Sequence, residues 1–143
     1  MNEYRPKELP SGLRPETLAV CTAMPPSQYG ENFETLILTS AYLQPDATTS
    51  AERFAQTQDF TYNRTSNPTV RSFEARLAAM EGAEAAVATA TGMSAILLLI
   101  MGLLKSGDHV ICSRSVFGST LSLFAKEFGK FGVATSFVSQ TDL

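Results

Sequence analysis

Residues 85–113 read AAVATATGMSAILLLIMGLLKSGDHVICS, and the change of texture along them decides the fold. The apolar stretch 85–89 suits a short buried strand, although its alanines give weak β-propensity. TATGMS, residues 89–94, then sets small and hydroxyl residues around Gly92 just before an apolar run. A strand turns tightly into a buried helix in this way, and the helix is predicted over 93–105. Ser106, Gly107 and Asp108 make a turn, and HVICS, His109–Ser113, reads as a second strand rich in β-branched residues. Downstream, a helix is predicted over 118–130 with Leu121, Phe124, Ala125 and Phe128 on its buried face, and a third strand over 133–138. Upstream, Asn67 is a good N-cap, Pro68 suits the first helical position and Gly82 sits where a helix ends, so Pro68–Glu81 is predicted helical. Its Val70, Phe73, Leu77 and Met80 recur at spacings of three and four and predict one buried stripe, with Arg71, Glu74 and Glu81 facing solvent.

The order helix, strand, helix, strand, helix, strand implies an α/β fold with parallel strands joined by right-handed crossovers, in a sheet that needs cover on both faces. Three strands do not complete such a sheet, and the last ends close to Leu143. The sequence therefore reads as the front part of a longer enzyme. Before Tyr62 the character changes: Pro6, Pro10, Pro15, Pro25, Pro26 and Pro45 interrupt any long periodic element. Residues 1–61 are expected to form an extended arm and 62–143 an incomplete larger domain. Within the arm, residues 35–39 (TLILT) fit a short strand or the first turn of a helix, and residues 49–55 a brief helix capped by a hydroxyl.

Composition narrows the function classes. With 143 residues, 44% apolar and 17% charged, there is material for a core, which argues against wholesale disorder. Eleven basic against fourteen acidic side chains, net −3, lack the excess that meets nucleic-acid phosphates. Two cysteines, Cys21 and Cys112, with a single histidine, His109, supply neither a disulfide framework nor a zinc set, which fits a reducing cytosol. The apolar run 95–104 is half of the roughly 20 residues that cross a bilayer.

Three places could carry chemistry. In open parallel α/β sheets ligands collect at the carboxyl ends of strands, where the next helix offers unpaired N–H groups to an anion. Thr91, Gly92 and Met93 stand there, although Gly92 also fits a plain tight turn against a packed helix. No GxGxxG or GxxxxGK loop is present, which argues against an ATP or NAD phosphate. Tyr62 and Arg64 lie two residues apart, on one side of an extended backbone, and the guanidinium offers a planar fork to an oxyanion; taken alone, the pattern favours a surface arginine beside a capping box. Phe117 follows the second strand, where an aromatic ring can stack on a planar cofactor or simply join the core. His109, at the other end of its strand, and Cys112, within it, read as structural.

Taken together, YNRTSNPTVRSFEARLAAMEG (62–82), ATATGMSAI (88–96) and LLKSGDHVICSRSVFGST (103–120) resemble the pyridoxal-phosphate-dependent Cys/Met metabolism family. That family includes cystathionine γ-synthase, cystathionine lyases and homoserine-ester sulfhydrylases. The arm, through ETLILTSAYLQPDATTSAERF (34–54), is most similar to the O-succinylhomoserine sulfhydrylase branch. The resemblance implies the first part of the large domain of a fold-type I transferase, a mostly parallel sheet with helices on both faces. It implies pyridoxal 5'-phosphate as cofactor, with its phosphate gripped by Tyr62 and Arg64 reaching into the neighbouring subunit and by the backbone N–H groups of Gly92 and Met93. Phe117 matches a position where the family usually carries a ring-stacking tyrosine; phenylalanine keeps the stacking and lacks the hydroxyl. A homo-oligomer follows, a dimer with shared sites and a tetramer by family likeness, cytoplasmic and acting on a small amino-acid substrate.

The implied reaction exchanges the succinyl ester group of O-succinylhomoserine for sulfide, giving homocysteine and succinate in methionine biosynthesis. A γ-synthase or lyase of the same family, and a noncatalytic phosphate-binding or assembly fragment, are the alternatives. The family's Schiff-base lysine and the aspartate that pairs with the pyridinium nitrogen fall beyond position 143. Lys105, Lys126 and Lys130 match turn or helix patterns, and Asp108 and Asp142 stand outside the aspartate's context, so the chain by itself is expected not to turn over substrate.

Overall fold

Helix starts and stops written into the local sequence account for most of the architecture. The computed structural model describes residues 9–22, 34–55 and 60–141; Pro6, Pro25, Pro26 and Asp142 fall outside them. The chain divides into two compact units, Met1–Ala88 and Thr89–Leu143.

In the first unit, helix α1 (Pro15–Cys21) begins with Pro15 at its first turn and closes where the Thr22 N–H bonds to the Leu18 carbonyl at 3.0 Å. Pro15 thus starts a helix that reading the arm as proline-broken leaves out. Helix α2 (Ala47–Ala55) matches the predicted brief helix, but its cap is a carboxylate. Asp46 accepts from the Thr49 N–H and hydroxyl, each at 2.8 Å. Residues 35–39 form neither strand nor helix. Polar bonds to the next helix hold them: the Ile37 N–H donates to Thr69 Oγ1 at 3.0 Å, and its carbonyl accepts from Asn67 Nδ2 at 3.0 Å.

Helix α3 (Pro68–Glu81) has the predicted bounds, with Asn67 as N-cap and Gly82 in the left-handed region at φ 64°. Its predicted buried stripe is corrected. Val70, Phe73, Leu77 and Met80 are exposed, Phe73 at 55%, and the buried positions are Ser72 and Ala78. α1 lies against α3, and Arg76 of α3 donates to the Thr22 carbonyl at 3.2 Å and pairs with Glu34. Glu74, expected to face solvent, accepts the Ala88 N–H at 2.7 Å. Periodicity announces an apolar face without saying what covers it.

The expected strand over 85–89 is absent. Alanine has little preference for extended structure, and among the described residues no ladder forms on this stretch. The only isolated pairing outside the sheet among these residues is Ala41 with Tyr62.

The second unit contains helix α4 (Gly92–Leu103), strand β1 (His109–Ser113), helix α5 (Gly118–Ser122) and strand β2 (Ala134–Val138). β1 and β2 run parallel in a register from His109–Ala134 to Ser113–Val138, as the crossover argument requires. The predicted helix over 118–130 is helical throughout but changes pitch. α5 passes into a π-helical turn at Leu123–Glu127 and a 3-10 turn at Phe128–Phe131. The core joins Ile100, Cys112, Phe124, Phe128 and Val133. Phe128 is 0% exposed and meets Phe124 edge-on, ring centroids 5.1 Å apart. Ala125, placed on the buried face by period, is exposed within the π-helical turn.

Val110 and Cys112 alternate inward from β1, whereas Ile111 on the other face is 67% exposed. Within this unit the helices cover one face of the sheet. α4 is apolar around its whole circumference, yet only Ile100 is buried, with Ile96 and Leu104 beside it. An all-apolar helix belongs to a larger interior than this unit builds. Among the described residues no helix is long and apolar enough to cross a membrane.

Candidate functional site

The residues singled out from sequence fall into two constellations, one in each unit. In the first unit, Tyr62 ends a short antiparallel contact and starts a tight turn. The Tyr42 N–H donates to the Thr61 carbonyl at 3.3 Å and the Asn63 N–H to the Ser40 carbonyl at 2.9 Å. The Tyr62 carbonyl then accepts from the Thr65 N–H at 2.9 Å, the Ser66 N–H at 3.1 Å and the Thr65 hydroxyl at 2.8 Å. The backbone through Arg64 is therefore turned and not extended, correcting the geometry on which the pairing of Tyr62 and Arg64 was predicted. The pairing survives by another route: the Arg64 guanidinium stands 5.0 Å from the centroid of the Tyr62 ring, a cation–π contact. Both side chains are exposed, and among the described residues Arg64 makes no ion pair.

Asn67, expected as a cap, does more. Its Oδ1 accepts from the Thr69 N–H at 2.8 Å and the Val70 N–H at 3.3 Å, while Nδ2 donates to the Ile37 carbonyl at 3.0 Å and Tyr42 Oη at 3.3 Å. Burial raises the Tyr42 phenol above its usual value, with the Asn67 bond opposing, so it stays protonated at neutral pH. No spacing rule in the sequence signals this second pair of bonds.

In the second unit, the mouth of α4 is built by Thr91. Its extended backbone (φ −149°, ψ 157°) ends the preceding segment, and its hydroxyl accepts the Ser94 N–H at 3.1 Å. The Thr89 hydroxyl donates to the Thr91 carbonyl at 2.8 Å. The first N–H groups of a helix have no partner within it, so Gly92 and Met93 present theirs outward at the positive end of the dipole. Gly92 does not have a positive φ, and nothing lies within 4 Å of where a Cβ would stand. Neither turn geometry nor crowding inside the unit requires glycine here. The missing side chain leaves room in front of the helix mouth, which suits an anion approaching the backbone.

Met93 ties this mouth to the start of α5, its Sδ accepting from the buried Thr120 hydroxyl at 3.7 Å. Phe117 is the N-cap residue of α5, and its carbonyl accepts from the Thr120 N–H at 2.9 Å. The Phe117 ring is 75% exposed. Of its two readings, the core one is excluded within this unit. Among the described residues, the carboxyl end of β1 thus brings together the first N–H groups of α4, hydroxyls and an uncovered aromatic ring. The donors fit a phosphate ester and the ring fits a flat heterocycle. His109, at the other end of β1, bonds Ser136 Oγ at 2.9 Å, and Cys112 is buried in the core.

A parallel α/β unit with a helix mouth beside an exposed aromatic ring is a layout that suits a phosphate-bearing cofactor. The chain belongs to the family of Cys/Met metabolism PLP-dependent enzymes, whose family model matches residues 16–143. It is similar to the O-succinylhomoserine sulfhydrylase of Pseudomonas aeruginosa, 53% identical over 129 residues covering 90% of this chain and 32% of that protein. It is 40% identical to the O-succinylhomoserine sulfhydrylase of Mycobacterium tuberculosis over 139 residues, 96% of this chain and 34% of that one. Among solved structures, a putative O-acetylhomoserine (thiol)-lyase from Campylobacter jejuni matches with TM-score 0.80 and 28% identity, over 90% of this chain and 32% of that one. That structure holds N'-pyridoxyl-lysine-5'-monophosphate. The chain spans about a third of the length of the curated relatives it matches.

Proposed function

We infer that this chain supplies the phosphate-holding part of a pyridoxal-phosphate enzyme. That enzyme replaces the succinyl ester group of O-succinylhomoserine with sulfide, releasing succinate and forming homocysteine. The observation that carries this reading is the mouth of α4, where Gly92 and Met93 hold the first helical positions, whose N–H groups have no partner within the helix, and where nothing lies within 4 Å of a Cβ placed on Gly92. The two sulfhydrylase relatives supply the substrate class. When bound, the cofactor supplies an electron sink for bond changes at the amino-acid substrate.

Each residue of this chain then has a holding role. Gly92 and Met93 orient the phosphate through their N–H groups. Arg64, lent to the neighbouring subunit of a cytoplasmic homo-oligomer, would offset its charge, and the Tyr62 hydroxyl would donate to it. Phe117 would offer its exposed ring for stacking on the cofactor and, having no hydroxyl, would move no proton. Residues 1–61 act as the arm and 62–143 begin the cofactor-binding domain. Lys105 and Lys130 are occupied by Asp108 and Glu127, at 2.9 Å and 2.6 Å, and are not given the cofactor-anchoring role.

The test is Arg64→Ala in the whole enzyme that carries this chain. A charge-assisted contact is worth about 1.5–3 kcal/mol, so the cofactor dissociation constant should rise by roughly ten- to a hundredfold. Titration of the apoenzyme with pyridoxal phosphate reads this directly, and an unchanged constant overturns the assignment.

A further inference from the structure

We propose that Asn67 is a positioning residue for the cofactor: it holds the turn that carries Tyr62 and Arg64 in the shape that grips phosphate. The inference rests on the reading of that pair as phosphate ligands and adds the residue that sets their geometry.

Capping α3 uses only the oxygen of the Asn67 side chain, and serine or aspartate would serve as well. Asn67 is 4% exposed and uses all of its hydrogen-bonding capacity, with two N–H groups bonded to Oδ1 and two acceptors taken by Nδ2. The amide nitrogen is therefore the informative half. Its acceptors, the Ile37 carbonyl and Tyr42 Oη, sit at the two ends of the segment whose middle pairs with the start of the turn. Ser40 and Tyr42 bond across to Asn63 and Thr61. A closed ring results, running from Asn67 to residues 37–42, across to 61–63, round the turn and back to Asn67.

Further contacts brace the ring. Thr69 Oγ1 takes the Ile37 N–H, and the Tyr42 ring packs on Phe60 with centroids 5.7 Å apart. An arginine on a free loop must lose conformational freedom each time it binds, whereas one on a fixed turn has lost much of it already. The Arg64 side chain contacts Tyr62 of the same turn, so the turn is tied to the rest of its unit through the Asn63–Ser40 and Thr61–Tyr42 backbone bonds and through Asn67.

Asn67→Ser in the whole enzyme keeps the cap oxygen and removes both donors. Affinity is measured for pyridoxal phosphate and for pyridoxal, which lacks the phosphate. The expected result is a three- to tenfold weaker binding of pyridoxal phosphate, about the worth of one hydrogen bond, with pyridoxal unchanged. Amide exchange at Asn63, Thr65 and Ser66 should quicken while the later turns of α3 keep their protection. Equal loss of both ligands, or loss of neither, overturns the proposal, because a merely structural role does not distinguish them.

Arg64→Ala is run alongside. If it too spares pyridoxal and weakens pyridoxal phosphate, the phosphate assignment stands whatever Asn67→Ser does. If it fails to discriminate, that assignment falls and the present one with it. Should Asn67→Ser not fold, Tyr42→Phe removes one acceptor while keeping the ring, and it must show the same selective loss.

Discussion

The two places proposed to hold an anion, the turn at Tyr62–Ser66 and the mouth of α4, present their donors in opposite ways. The turn offers side chains, and it is braced by bonds that span long stretches of sequence, from Asn67 and Thr69 beside it back to Ile37 and Tyr42. The helix mouth offers backbone, and its shape depends on local winding set by the Thr91 cap and on the core beneath it. Side chains can be deleted one at a time. Backbone donors survive most substitutions and are lost only when the helix moves or something fills the space before it.

The largest test of this contrast is Phe128→Ala. Phe128 is fully buried against Phe124 in the core that also holds Ile100 of α4. Emptying that site should cost about 3–5 kcal/mol. Urea unfolding followed at a probe in the second unit should show the loss, while the bonds around Asn63 and Asn67 persist below the new midpoint. Simultaneous early loss of the turn would show that the two constellations are not independently supported.

The same contrast explains what the sequence makes legible. α3 is predictable to the residue because its signals are adjacent: Asn67 and Pro68 start it and Gly82, free to adopt φ 64°, ends it. β1 is legible from its β-branched run. Residues 85–89 mislead because a strand is completed by a partner elsewhere, and the alanines carry no preference that overrides the partner's absence. The stripe Val70, Phe73, Leu77 and Met80 is real as a pattern, but which face is covered depends on where Arg76 meets Thr22 and Glu34. Tyr62, Arg64, Gly92, Met93 and Phe117 are proposed for the site from motif and position. The second pair of bonds at Asn67 follows from neither, because it joins residues 25 and 30 positions apart in the chain.

A smaller effect sharpens the backbone side of the comparison. Gly92→Ala meets no atom within 4 Å and does not require a positive φ, so helix stability should be unchanged or slightly raised. A methyl group in front of the helix mouth should nevertheless weaken pyridoxal phosphate binding, by about three- to tenfold if one phosphate hydrogen bond is displaced. Thermal melting and cofactor titration on the whole enzyme then move in opposite directions or only the second moves. A fall in both would mean that Gly92 serves the turn itself.

The smallest effect separates two parts of the first unit by pH. The start of α2 is held by a carboxylate, and the Thr49 N–H bond, the largest cause, keeps Asp46 below its ordinary value of 3.8. Because the folded value is the lower one, this contribution is complete above the ordinary value and disappears as pH falls through the folded value. The Tyr62 turn is held by amide, hydroxyl and carbonyl groups that do not titrate there. Acid should therefore fray the first turn of α2, seen as faster exchange of the Thr49 amide, before it affects Asn63. Asp46→Asn keeps an accepting oxygen without the charge and should make the Thr49 amide insensitive over that range. If Thr49 and Asn63 lose protection together in both proteins, the hydrogen-bonded ring around Asn67 is not the separate brace that its geometry describes.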